Sequence, residues 1–267
     1  MSEKRVVEEE EVVKHHFELV HGASHGAWCW YKIRSLMESK GHKVTCLDLK
    51  GSGINPADPD TIFTLEDYDE PLIKFMSNLP ENEKVILVGH SSGGISLTDT
   101  FYRFGKMGSI KMIIYVAATM SKHGFSMDED GTPDFSEYGD VIQYRYGLGD
   151  DQPPTSVIVK DEFQRQIFYH MSPVEDSILA SMLLRPAPTR PYSGEIDGGD
   201  DDDSDSIPRV YIKTMHDRVL KPEQQDDMIK QWPPSQVFVL ESDHSPFFSA
   251  PLDLFTSLVN AAESIKY

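Results

Sequence analysis

The amino-acid sequence predicts an α/β fold: a mostly parallel sheet flanked by helices, with a cap segment inserted between two of its strand–helix units. Three observations carry this. Short apolar runs rich in Val and Ile alternate with stretches of helical spacing. The connections between them are short, as expected for parallel strands joined by crossover helices. The alternation is interrupted once, between about 119 and 206, by a longer irregular stretch richer in Gly, Pro, Met and aromatic residues.

Taken in order, His16–Val20 is the first strand and closes at His21-Gly22. Residues 28–40 have the spacing of an amphipathic helix, with Gly41 placed to cap its end. The second strand, 43–49, leaves into a Gly51-Ser52-Gly53 turn. Thr64 is placed to N-cap a helix over 65–78, kinked at Pro71. A third strand, 84–88, precedes a helix reaching 104, and 111–117 is a fourth. In the cap, 161–171 and 175–184 read as helices. Strand signals return at Arg209–Thr214 and Gln236–Leu240, followed by helical patterns at Pro222–Gln231 and 252–265.

The chain has 267 residues, 39% of them hydrophobic, enough to bury the core of one large domain. We expect an acidic disordered tail over 1–14 and a single domain over 15–267, whose cap contains an acidic loop at 194–206. No run of about 18 apolar residues suggests a membrane span. The N-terminus has neither a signal core nor a transit-peptide composition, so a cytoplasmic protein is expected. Cys29 and Cys46 fit a reducing compartment and form no metal-ligand spacing. A formal net charge of -19 argues against nucleic acid and anionic membranes as partners. Consecutive carboxylates at Asp200, Asp201, Asp202 and Asp203 lack the spaced ligands of a calcium loop, so no metal is expected there.

The sharpest chemical signal is Gly89-His90-Ser91-Ser92-Gly93, between a buried strand and a helix. A strand-to-helix turn with glycines around a serine holds that hydroxyl on an exposed, strained corner above a helix N-terminus. Ser91 is therefore the candidate nucleophile. Such a serine needs a base and an orienting acid, in the chain order Ser, Asp or Glu, His. Asp217 lies three residues past Thr214, and His244 four past Leu240, so both fall on loops at the edge that holds Ser91. Asp226 and Asp227 are alternative acids on a helix surface, and Asp243 adjoins His244 too closely to reach around its ring. The other histidines, His15, His16, His42, His123 and His170, read as surface or loop residues. An oxyanion hole needs two backbone donors. Ser92 N–H and, from the loop His21-Gly22-Ala23-Ser24, Ala23 N–H are the candidates; the competing reading makes His21-Gly22 a mere strand terminator.

These segments carry a resemblance. Residues 19–32 (LVHGASHGAWCWYK), 45–53 (TCLDLKGSG), 85–91 (VILVGHS) and 242–246 (SDHSP) resemble the plant methylesterase family of the α/β-hydrolases, over nearly the whole chain from His16. Residues 129–131 (EDG), 169–173 (YHMSP), 184–188 (LRPAP) and 221–225 (KPEQQ) resemble most the branch associated with methyl indole-3-acetate. The resemblance implies the α/β-hydrolase fold and hydrolysis of methyl esters of small acids such as indole-3-acetate, jasmonate and salicylate. It places the triad on Ser91, Asp217 and His244 and implies no cofactor. Two departures stand out: Ser245 where many relatives carry Met, and a long acidic insertion before Ile207.

Two other readings remain. The same family contains hydroxynitrile lyases, which use a Lys after the catalytic His and a Thr in the first loop; here those positions are Ser245 and Gly22. A non-hydrolytic hormone-binding protein could also use this scaffold. Met120, Phe125, Met127, Tyr144, Tyr146, Phe163, Phe168, Met171 and Met182 suit a flat apolar ligand or a packed cap equally. The expected partner is a small methyl ester, and a cap-mediated homodimer is left open.

Overall fold

The computed structural model describes residues 13–122, 133–192 and 207–264. Six parallel strands form the main sheet: β1 (His16–Val20), β2 (Lys43–Leu47), β3 (Val85–His90), β4 (Ile110–Val116), β8 (Arg209–Thr214) and β9 (Gln236–Leu240), in the spatial order β2-β1-β3-β4-β8-β9. β1, β3 and β8 are buried along their whole length, as expected for strands covered on both faces. One apolar cluster, with Phe17, Leu19, Ile86 and Val88, lies against α1 (Tyr31–Ser39) and α9 (Pro251–Glu263). A second, with Val20, Val85, Leu87 and Tyr115, lies against α3 (Glu70–Ser77), α4 (Gly93–Phe104) and α7 (Pro222–Gln231).

Several expected elements need adjustment. The first helix opens with a tight 3-10 turn, Ala27–Trp30, before α1. The expected kinked helix is two helices, α2 (Leu65–Tyr68) and α3, joined at Asp69. Thr64 caps α2 by accepting from Asp67 N at 3.1 Å, while Pro71 sits in the first turn of α3, where its missing N–H costs nothing. The chain's last helical stretch likewise begins earlier, as α8 (Pro246–Ser249) followed by α9. His15, His16 and His42 are not surface residues but buried ones. His16 is locked between Glu83 Oε1 at 2.6 Å and Thr45 Oγ1 at 2.7 Å, so its polar atoms are satisfied inside.

The cap contains α5 (Asp161–Phe168) and α6 (Val174–Leu183), close to the expected helices. It also holds an antiparallel sheet that the sequence did not suggest: β5 (Ile142–Arg145), β6 (Ser156–Val159) and β7 (Ala187–Pro188). Residues 1–12 of the acidic tail expected over 1–14, the acidic loop, His123, Phe125 and Met127 lie outside the described residues. Among the described residues no helix is long and apolar enough to cross a membrane.

Candidate active site

Ser91 follows the last residue of β3 and precedes α4 with φ of 54°, left-handed for a residue that carries a Cβ. Such a conformation costs on the order of 1–3 kcal/mol. The surroundings hold it: Ser91 N donates to Val116 O, and Ser91 O accepts from Gly94 N at 3.0 Å and Thr119 N at 3.1 Å. The flanking glycines are needed for packing. A Cβ on Gly93 would lie 2.6 Å from His21 O, and one on Gly94 2.1 Å from Thr119 O. The elbow is thus pressed against both the first loop and the end of β4, and α4 is buried over most of its surface.

Asp217 and His244 meet beside this corner. His244 Nδ1 donates to Asp217 Oδ2 at 2.8 Å, with both residues buried. Asp217 is fixed at every oxygen: Oδ1 accepts from Val219 N at 2.8 Å and Leu220 N at 2.9 Å, and Oδ2 also accepts from Thr214 Oγ1. Behind it, buried Gln225 braces the end of β8, accepting from Thr214 N and donating to Leu220 O at 2.8 Å. His90 Nε2 donates to His244 O at 2.7 Å, which ties the elbow to the histidine loop. Burial holds the His90 imidazole well below the usual range, hence neutral. Among the described residues no hydrogen bond joins Ser91 Oγ to His244 Nε2; that contact characteristically tightens when substrate binds.

The first loop is set by two further imidazoles. His21 Nε2 accepts from Leu49 N, so Nδ1 carries the proton and donates to Gly22 O at 2.8 Å. In a trans peptide the C=O and the following N–H point in opposite directions. Pinning Gly22 O therefore aims Ala23 N–H the other way, and it donates to Ser92 Oγ at 2.8 Å. His25 Nδ1 pairs with Ala23 O and Nε2 with Tyr169 Oη of the cap; burial pushes its pKa down to about 3. The Ser92 N–H, at the head of α4, has no acceptor among the described residues. Both candidate oxyanion donors thus lie at one corner, and the Ala23 amide is engaged by the Ser92 hydroxyl.

The alternative acids are occupied elsewhere. Asp226 accepts from Lys213 Nζ at 2.6 Å, and Asp227 pairs with Lys230 on the outer face of α7. Of the cap's apolar residues, Phe168 has its ring centroid 6.1 Å from that of His244. Met120 is buried in the second core cluster, whereas Met182 is 75% exposed. Sequence reasoning missed Arg185, which donates to the carbonyls of Gly53, Asn55 and Ala57 and so ties the cap to the loop after β2. Among the described residues no group of three or more His, Cys, Asp or Glu side chains is placed to hold a metal ion.

Comparison with known proteins bears on the fold and the family. Residues 19–258 match the alpha/beta hydrolase family. The chain is 52% identical over 256 residues to Methylesterase 17 of Arabidopsis thaliana, covering 94% of this chain and 92% of that protein. It is 46% identical to a pheophorbidase of Raphanus sativus, covering 94% and 95%. Among solved structures, the methylesterase MES16 from Arabidopsis superposes with a TM-score of 0.85 at 44% identity, covering 94% of this chain and all of that one. With a six-stranded parallel sheet, a serine elbow and these relatives, the chain belongs to the plant methylesterase family, carboxylic ester hydrolases of the α/β-hydrolase fold.

Proposed function

We propose that the protein hydrolyses the methyl ester of a small, flat carboxylic acid through a Ser91–His244–Asp217 acyl-enzyme mechanism. The observation that carries the reading is the buried 2.8 Å bond from His244 Nδ1 to Asp217, at the same sheet edge as the left-handed Ser91. With Nδ1 committed as donor, Nε2 is the basic nitrogen. It takes the proton of Ser91 as Oγ attacks the ester carbonyl, and Asp217 stabilises the resulting imidazolium. Ala23 N–H and Ser92 N–H receive the tetrahedral oxyanion, the Ala23 amide once the Ser92 hydroxyl yields it. His244 then gives that proton to the methoxy oxygen as the acyl C–O bond breaks, so that methanol leaves, and it activates water for the second half-reaction.

Methyl indole-3-acetate is the substrate we favour, on the branch motifs, with methyl jasmonate and methyl salicylate as competitors. The Phe168 ring beside His244 suits a flat acyl group. The lyase reading fits less well. A Cβ at Gly22 would lie 2.7 Å from Ser91 Cβ, so the loop is packed for glycine, and no ammonium follows His244, where Ser245 is fully buried. The test measures acid release from these three esters and from pheophorbide, and benzaldehyde release from mandelonitrile, with wild type and Ser91→Ala. Serine-dependent acid release, fastest for methyl indole-3-acetate, is expected. A many-fold preference for another ester overturns the substrate assignment. Absence of ester hydrolysis, or full activity in the alanine variant, overturns the mechanism.

A further inference from the structure

Asp243, the residue before the proposed base, takes no part in the mechanism above. It is fully buried, and each of its oxygens receives two hydrogen bonds. Oδ1 accepts from Ser245 N at 2.9 Å and Ser249 Oγ at 2.8 Å, both on the segment that carries His244. Oδ2 accepts from Met171 N at 2.9 Å and Ser172 Oγ at 2.9 Å, both in the cap. One carboxylate therefore spans two pieces of chain about 70 residues apart.

The spanned cap segment lies beside the proposed base. It directly follows Phe168, whose ring faces His244, and Tyr169, whose hydroxyl bonds His25 Nε2 at 2.7 Å. Other cap contacts, such as those of Asp176 with Tyr31 and Lys32, reach α1 instead. Two backbone N–H donors and two hydroxyls demand an acceptor with four lone-pair directions, which an ionised carboxylate supplies and an amide does not.

From this geometry we propose that Asp243 is a positioning residue: it clamps the cap to the histidine loop and thereby sets the register of the acyl-group wall against His244. The proposal rests on the esterase reading for its catalytic consequence. A bulky acyl group must touch that wall, whereas an acetyl group is too small to depend on it. In Asp243→Asn the carboxamide can keep its oxygen on one side only. On the other side a backbone N–H, of Met171 or of Ser245, meets an NH2, and the two loops separate. Ser172→Ala removes one cap-side bond alone and leaves the carboxylate in place.

The experiment compares kcat/KM for methyl indole-3-acetate and for p-nitrophenyl acetate in wild type, Asp243→Asn and Ser172→Ala. Hydrogen exchange at the Met171 and Ser245 amides is measured in parallel. The ratio of the two kcat/KM values is expected to fall tenfold or more in Asp243→Asn and about threefold in Ser172→Ala, mainly through KM of the larger ester. Exchange at Met171 or Ser245 is expected to accelerate at least tenfold in Asp243→Asn while the strands of the main sheet stay protected. A ratio within twofold of wild type in both variants overturns the proposal, as does a parallel loss on both esters. Should wild type hydrolyse neither ester, the functional reading fails, and unchanged exchange at both amides would separately refute the clamp.

Discussion

Asp217→Asn tests the site most sharply, because the structure dictates which way the new amide must turn. Oδ1 of Asp217 accepts from two backbone groups, Val219 N–H and Leu220 N–H, and neither can become an acceptor. The asparagine oxygen therefore stays on that side. Its NH2 takes the place of Oδ2, facing Thr214 Oγ1 and His244 Nδ1. The threonine hydroxyl can rotate and accept. His244 has one way to comply: Nδ1 gives up its proton and Nε2 takes it. An imidazole protonated on Nε2 cannot receive the proton of Ser91. Restoring the productive tautomer would set N–H against NH2 in a buried site, leaving two donors unsatisfied at about 1–3 kcal/mol each. Loss of the charge that stabilises the imidazolium adds to this. Together they approach the roughly ten-thousandfold fall in kcat typical of this change in Ser-His-Asp sites, about 5.5 kcal/mol. The assay is steady-state and burst release of p-nitrophenolate from p-nitrophenyl acetate, with KM expected to move less than about threefold. A kcat within tenfold of wild type would refute the tautomer argument and with it the role given to Asp217.

Three further predictions follow from single contacts. Burial raises the Asp69 carboxyl from 3.8 to about 8, with Ser96 Oγ its one hydrogen-bond partner among the described residues. The unfolded chain therefore releases this proton near pH 4 and the folded chain near pH 8, so stability is lost as pH rises between them; the melting temperature of Asp69→Asn relative to wild type should climb by more than about 2 °C from pH 5 to pH 8, and a flat difference would refute it. Ser92 Oγ occupies the Ala23 amide proposed to receive the oxyanion; Ser92→Ala should raise kcat/KM for p-nitrophenyl acetate up to about fivefold, the worth of one hydrogen bond, and a tenfold fall would instead make that hydroxyl a contributor. Gly22→Thr, which must fit a Cβ where only 2.7 Å separates it from Ser91 Cβ, should cut ester hydrolysis at least about a hundredfold by displacing the oxyanion loop, without mandelonitrile cleavage; activity within threefold of wild type would show that the loop is not packed for glycine.

The strands of the main sheet were legible because burial on both faces leaves an uninterrupted apolar run, as in Val85-Ile86-Leu87-Val88. Asp217 and His244 were legible for a related reason: a residue just past a parallel strand is carried to the edge where its neighbours' loops also gather. The cap's sheet was hidden because β5 is largely exposed, β7 has two residues, and neither strand has the length to show alternation. The break at Asp69 was masked by Pro71, which drew attention to itself although it is accommodated in the first turn of α3. The roles of Asp243, Gln225 and Arg185 were not legible, although all three fall in motifs that carry the resemblance. They are ordinary polar residues in sequence, and their roles arise from partners up to 132 residues away, such as Gly53 for Arg185.

The buried histidines explain why the site needs so much unremarkable sequence around it. A neutral imidazole offers one donor and one acceptor, and a protonated one offers two donors. His21 uses both faces of the neutral form, donating to Gly22 O and accepting from Leu49 N. His25 does the same between Ala23 O and Tyr169 Oη. Protonation of His21 would set its Nε2–H against Leu49 N–H and break that bond, loosening the proposed oxyanion loop, whereas at His25 it would force the Tyr169 hydroxyl to turn from donor to acceptor. Burial depresses both rings, and for His25 the neutral form persists down to about pH 3. The desolvation that keeps these rings neutral is thus also what keeps the Ala23 peptide aimed. A single substitution that let water reach His25 would act twice, raising its pKa and loosening the loop. The aromatic shell of Trp28, Phe168 and Phe247 around His25 therefore helps keep the Ala23 peptide, the proposed oxyanion donor, in place.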